Sequence, residues 1–136
     1  MNINYHNIQL SKNLYMHDSI FFGYCYDYDK RTIHLTLLNE LKNVIQKIVL
    51  NNVIISQLQG CSFWGGGNAI YYVCCYAEHP LFDQLNQIKA ENIRNIEGSY
   101  LDMGINYIVF ELQVNSGDSM CVICESVDYD EVMMNA

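Results

Sequence analysis

Apolar residues recur at every second position in several stretches of this chain, and that period limits what it can fold into. Alternation over residues 20–28 is followed by a polar break at 29–31 and by a second alternating stretch at 33–37. Successive side chains of a β-strand point to opposite faces, so a period of two predicts strands with one buried face. The two stretches and the polar break between them predict a hairpin.

The last third of the sequence predicts a second hairpin. Residues 108–114 alternate, the polar residues 115–118 supply a turn, and alternation resumes over 120–124. Two further strands are predicted earlier in the chain, at 70–76 and from residue 44 to about residue 50. The latter is followed by Asn51-Asn52 and a short apolar run, which is compatible with one long bent strand reaching residue 55.

Pro80 marks a change from strand to helix. Proline suits the first turn of a helix, and Leu81, Leu85 and Ile88 follow at helical spacing. We therefore predict a helix at about 80–93.

The sequence predicts one α+β domain over residues 1–136, with a single antiparallel β-sheet of about five to seven strands, strongly curved or barrel-like, around one main α-helix. The first 15 residues are expected to form either a loosely attached arm or an edge strand.

Composition indicates a globular protein without a membrane segment. Hydrophobic residues make up 51% of the 136 residues and charged residues 16%, which is too apolar a balance for disorder. No apolar run reaches the roughly 18 residues of a membrane span, and the first residues resemble no export signal. We expect a cytoplasmic protein that does not bind membranes.

Charge is distributed unevenly along the chain. Residues 1–68 carry five basic and four acidic residues, whereas residues 69–136 carry two basic and eleven acidic ones, and the net charge is −8. Nucleic-acid binding needs Lys and Arg to contact phosphates, so the acidic half disfavours a nucleic-acid partner. A macromolecular partner is expected to be a basic protein.

Six cysteines and no export signal favour reduced, buried thiols. The spacing of Cys121 and Cys124 occurs in zinc and redox sites, but both residues fall on a predicted strand, where positions three apart face opposite ways. The adjacent Cys74 and Cys75 cannot both bind one metal ion, for the same reason. We expect no bound metal and no cofactor, unless a bulge or turn interrupts one of these strands.

The sequence contains no assembled catalytic set, and it favours a non-enzymatic protein that binds a basic protein, in the manner of an immunity-type inhibitor. Its candidate binding residues combine aromatic anchors with acids: Tyr24, Tyr26, Trp64, Asp118, Glu125, Asp128, Asp130 and Glu131.

Two alternative functions stay open. One is a small hydrolase or metal-dependent enzyme that uses His17, Asp18 and Cys61, with Asp118 or Glu125. The other is a self-associating structural module, whose monomeric or dimeric state the sequence leaves undecided.

Short motifs along residues 16–131 resemble those of a loose group of small bacterial proteins of unknown function. They are His17-Asp18-Ser19, Asn52-Val53, Cys61 with Phe63-Trp64-Gly65, Ser116-Gly117-Asp118 and Cys124-Glu125. Some small, acidic, single-domain proteins of this kind are regarded as immunity partners of secreted toxins. The resemblance implies a similar role here, and it supplies no catalytic residues.

Overall fold

The computed structural model describes residues 1–14, 16–59, 68–92 and 104–134. Within these ranges the chain forms nine β-strands, one α-helix and a 3₁₀ segment at Tyr5–Asn13. The strands and the helix are β1 Asn2–Asn4, β2 Ile20–Asp27, β3 Thr32–Asn39, β4 Val44–Asn51, β5 Ile55–Gln59, β6 Ile70–Tyr76, α1 Phe82–Asn92, β7 Ile108–Val114, β8 Ser119–Cys124 and β9 Ser126–Met133. Neither described helix has the length and hydropathy of a membrane span.

The strands form two antiparallel sheets. The first sheet has the order β1-β9-β4-β3-β2, and the second has the order β5-β8-β7-β6. Both predicted hairpins are confirmed, as β2 with β3 and β7 with β8. The mostly antiparallel class is confirmed too. The expected single, barrel-like sheet of five to seven strands is not found, because the nine described strands divide between two sheets and neither sheet closes on itself.

The protein has two sheets instead of the expected one because a two-stranded ribbon bends from the first sheet into the second. β4 pairs with β9 in the first sheet. In the chain β5 follows β4 and β8 precedes β9, and β5 pairs with β8 in the second sheet. At the bend Asn52 has a left-handed backbone with φ 51°, a conformation that asparagine tolerates. The Glu125 N–H donates to the Asn51 carbonyl at 2.9 Å, so the ribbon stays paired through the bend. The long bent strand expected after residue 44 therefore passes from one sheet into the other.

The inner faces of both sheets contribute to one apolar core. Among the described residues, Phe110 of β7 is the largest fully buried side chain, and it shares a cluster with apolar residues of both sheets and of the segment before β2. The core consists of Ile3, Leu14, Met16, Ile33, Leu35, Leu37, Ile48, Leu50, Ile70, Cys75, Ile108, Phe110, Leu112, Val114, Met120, Val122, Cys124 and Val127. Ile3 belongs to β1, which pairs with β9, so the start of the chain is an edge strand.

A smaller apolar cluster covers part of the outer face of the second sheet. Leu81 and Leu85 pack against Tyr107, Val109 and Ile123. The helix begins just after Pro80, as the sequence predicts, and its predicted last residue, 93, lies outside the described residues. The cluster fixes the start of α1 beside the outward-facing side chains of β7 and β8.

Truncation of the central aromatic residue tests this core. Phe110→Ala should lower the free energy of unfolding by about 3–5 kcal/mol, because it leaves a cavity between the two sheets. Urea denaturation followed by circular dichroism measures the change. Leu41→Ala is the matched control, since Leu41 is 97% exposed and its truncation should change stability by less than about 0.5 kcal/mol. Equal effects of the two substitutions would contradict the described core.

Candidate functional site

A group of polar side chains meets on the outer face of the second sheet, next to the start of α1. In the strand register Glu111 of β7 lies opposite Cys74 of β6 on one side and opposite Cys121 of β8 on the other. Residues paired in this way share a face of the sheet. His79 reaches the same place from the connection between β6 and α1. We call Glu111, Cys121 and His79 the outer-face cluster.

Hydrogen bonds fix the orientation of His79 and Glu111. The Leu81 N–H donates to His79 Nδ1 at 3.1 Å, and His79 Nε2 lies 2.9 Å from Glu111 Oε2. Because Nδ1 accepts a hydrogen bond, the proton of the neutral imidazole sits on Nε2 and is donated to the carboxylate. The Tyr72 hydroxyl donates to the other carboxylate oxygen. The side chains of His79 and Glu111 are 19% and 16% exposed, so solvent reaches this pair from one side.

Cys121 completes the cluster as a protonated thiol. Burial, together with the nearby charge of Glu111 and a hydrogen bond to it, raises the pKa of Cys121 to about 11. A nucleophilic cysteine needs the opposite shift, toward the thiolate. The donor atoms of His79, Glu111 and Cys121 all lie within 4.8 Å of one another. The cluster is therefore unsuited to covalent catalysis at neutral pH, but its donors are placed for coordination.

The sequence interpretation missed this cluster, although part of its signal was present. The sequence predicts that Cys121 and Cys124 face opposite ways, and this prediction is confirmed, because Cys124 is fully buried in the core and Cys121 is on the outer face. The hairpin turn at 115–118 already placed Glu111 opposite Cys121. His79 could not be added from sequence, because its position depends on the pairing of β6 with β7.

The acids of β9 form a second group, on the first sheet. Asp128 and Asp130 are exposed and lie opposite Val49 and Lys47 of β4, on the face away from the core. The two carboxylate oxygens of Asp128 accept hydrogen bonds from Asn2 Nδ2 at 2.7 Å and from Asn51 Nδ2 at 2.9 Å. Both donors are neutral amides, so they orient the carboxylate without cancelling its charge.

The two other predicted acids near β9 are held in the same way. Glu131 is exposed but lies on the opposite face of β9 from Asp128 and Asp130, where it accepts a hydrogen bond from the Tyr129 hydroxyl. Glu125, at the bend, accepts one from Asn52 Nδ2 at 3.2 Å. We call Glu125, Asp128, Asp130 and Glu131 the acidic strand group. Asp118 lies apart from them, in the turn between β7 and β8.

The predicted tyrosines lie far from the acidic strand group. Tyr24 and Tyr26 of β2 pair with Leu35 and Ile33, on the core side of the first sheet, and their rings are 5.8 Å apart. Two strands, β3 and β4, stand between β2 and β9, a separation of about 14 Å at the usual strand spacing. Trp64, the third aromatic candidate, lies outside the described residues.

The residues of the enzyme alternative are not brought together in the described part of the chain. His17 Nδ1 lies 3.0 Å from the Tyr71 carbonyl oxygen, and His17 Nε2 is 3.7 Å from Asp18, both side chains being well exposed. Asp18 occupies the turn before β2 with φ 69°. Cys61 lies outside the described residues. Within those residues the donor atoms that converge belong to the outer-face cluster, not to His17, Asp18, Asp118 or Glu125.

Comparisons with known proteins give no relative from which a role could be transferred. No family model and no curated protein matches the sequence, and no solved structure matches the fold.

Thiol reactivity tests the environment assigned to Cys121. At pH 8 a thiol with a pKa of about 11 is ionised in about one molecule in a thousand, so iodoacetamide should label the exposed Cys25 at least about tenfold faster. Labelling of Cys121 should then rise roughly tenfold per pH unit up to about pH 10. Peptide mass spectrometry measures both rates, and a urea-unfolded sample provides the control. Equal labelling of the two cysteines at pH 8 in folded protein would contradict the assignment.

Proposed function

We propose that this protein is a non-enzymatic binding protein of the bacterial cytoplasm that presents the acidic strand group to a basic protein, in the manner of an immunity-type inhibitor. One observation carries the proposal. All four carboxylates of the group accept hydrogen bonds from neutral donors, which are side-chain amides, a tyrosine hydroxyl and, for Asp130, the Glu131 backbone N–H. Their orientation is fixed before a partner arrives while their negative charge stays available to it.

The strand that displays these acids is a rigid support. β9 pairs with β4 along its whole length and with β1 over Asn2–Asn4. Side chains on such a strand lose little freedom on binding, which lowers the entropic cost of association. Lys47 opposite Asp130 offsets part of the charge on the outer face, whereas Asp128 lies opposite the apolar Val49 and keeps its charge.

Exposed apolar side chains continue the surface at the end of β9. Val132, 41% exposed, lies on the same face of β9 as Asp128 and Asp130, and Met133, 64% exposed, lies on the other face with Glu131. An apolar area bordered by fixed charges is a common composition for a protein interface, in which burial supplies affinity and charge supplies specificity and association rate. Tyr24 and Tyr26 lie outside this surface and are not needed for the proposal.

Charge reversal with a matched control tests the proposal. The wild-type protein should retain a basic protein from lysate of the native host at low salt and lose it at high salt. Asp128→Lys/Asp130→Lys should slow association with that protein at least about tenfold at low salt. Biolayer interferometry with the captured protein, identified by mass spectrometry, measures the rate.

The control changes the net charge by the same amount elsewhere. Glu78→Lys/Asp83→Lys alters two exposed acids at the start of α1, beside the second sheet and away from β9. It should leave most of the association rate intact. If both double variants slow association equally, net charge and not the acidic strand group is responsible, and the proposal fails.

A second candidate function is self-association through β2. This strand ends the first sheet among the described strands, and it carries the exposed aromatic residues Phe22, 71% exposed, and Tyr26, 59% exposed. An edge strand with exposed aromatic side chains can pair with a second copy. Light scattering at micromolar concentration should then give the mass of a dimer, and Phe22→Ser/Tyr26→Ser should give that of a monomer. A monomeric wild-type protein would exclude this candidate.

A further inference from the structure

The outer-face cluster has the composition of a transition-metal site and plays no part in the proposed binding surface. An imidazole nitrogen, a thiol sulfur and a carboxylate oxygen are the three ligand types that zinc uses in proteins. They come here from three separate places in the chain, the β6–α1 connection, β7 and β8, and converge within 4.8 Å. We propose that His79, Glu111 and Cys121 bind one divalent transition-metal ion of the zinc type, with the fourth position left to water.

The distances require only small side-chain movements. Zinc bonds of about 2.0–2.3 Å in tetrahedral geometry place ligand atoms roughly 3.5 Å apart. His79 Nε2 and Glu111 Oε2 are already 2.9 Å apart and would separate slightly, and Cys121 Sγ already lies within 4.8 Å of both. Because all three side chains are half-buried, they can rotate without unpacking the core.

Neighbouring groups orient the ligands as outer partners do in metal sites. The Tyr72 hydroxyl holds one oxygen of Glu111 and leaves the other directed at His79. The Tyr76 ring lies beside the imidazole, with a centroid distance of 5.6 Å. Such outer contacts fix ligand geometry, and their loss typically lowers metal affinity 10- to 100-fold.

Two hydrogen bonds of the His79 ring oppose coordination through Nε2, the one that Nε2 donates to Glu111 Oε2 and the one that Nδ1 accepts. The Leu81 N–H donates to Nδ1, so a neutral imidazole that gives Nε2 to a metal must carry its proton on Nδ1 and lose this bond. The Leu81 N–H is then left as one of the unpaired amides usual at the start of a helix. The bond from Nε2 to Glu111 is lost as well, and the Cys121 thiol releases its proton to solvent when it coordinates. Three metal bonds replace these hydrogen bonds, and the amide of Leu81 should report the exchange.

Cobalt(II) provides a direct test, because it replaces zinc and absorbs light when a thiolate coordinates it. The full chain, reduced and treated with a chelator, should bind one equivalent of cobalt and develop a thiolate-to-cobalt band in the near ultraviolet that zinc abolishes. Cys121→Ser should lose the band, and Glu111→Gln should bind cobalt at least about 100-fold more weakly, as expected for loss of a direct ligand.

Cys74→Ser is the matched control. Cys74 lies on the same face and opposite Glu111 in the register, but outside the group of converging donors. This variant should keep the band and its affinity, as should Cys25→Ser, which removes an exposed thiol. Circular dichroism establishes that each variant is folded, and Glu111→Gln serves if Cys121→Ser is not.

Three results would overturn the proposal. The first is the absence of a cobalt band in folded wild-type protein with a tenfold excess of the metal. The second is loss of the band in Cys74→Ser or Cys25→Ser to the same extent as in Cys121→Ser. The third is an amide signal of Leu81 in the nuclear magnetic resonance spectrum that zinc leaves unchanged.

Discussion

Contact between the inner faces of the two sheets determines which side chains of the described strands are buried and which are left on the outer faces. The bent ribbon of β4–β5 and β8–β9 carries two chain segments from one sheet to the other, so the apolar sides of both sheets meet around Phe110. Since strand side chains alternate, the residues between the buried ones must lie on the two outer faces. The acidic strand group and the outer-face cluster both depend on this packing, although both lie outside it.

The two outer faces hold carboxylates in different ways. Glu111 is 16% exposed and accepts hydrogen bonds from Tyr72 and from His79, so its charge is enclosed by the protein's own donors. Asp128 is exposed and accepts bonds from two neutral amides, so its charge reaches solvent. An enclosed carboxylate suits an ion that enters the site, whereas an exposed and oriented one suits a second macromolecule. The difference follows from α1, which stands beside the cluster and not beside β9.

Sequence periodicity predicted the local elements because each depends on neighbouring residues. The alternation of 108–114 and the polar turn after it were sufficient to predict the pairing of β7 with β8, and Pro80 marked the start of α1. The division into two sheets was not predictable in this way, since it depends on the bend at Asn52. A left-handed backbone at one residue does not change the spacing of the apolar residues around it. A long strand that bends within one sheet and one that passes between two sheets have the same alternation.

Prediction of the candidate site residues was limited in the same way, because their distances from one another depend on the order of the strands. Asp128 and Asp130 could be placed on one face of a strand from their spacing, but their distance from Tyr24 and Tyr26 depends on strand order, which puts β3 and β4 between them. Glu111 and Cys121 could be paired from the hairpin alone. His79 joins them only through the pairing of β6 with β7, which no local pattern specifies.

The central claim is that a partner binds the acidic outer face of the first sheet and leaves the outer face of the second sheet free. Hydrogen–deuterium exchange of the complex with the captured partner, compared with the free protein, tests it most directly. The account predicts slower exchange in β9 and β4, with α1 and β6 unchanged. Slower exchange in α1 and β6, with β9 unchanged, would contradict it.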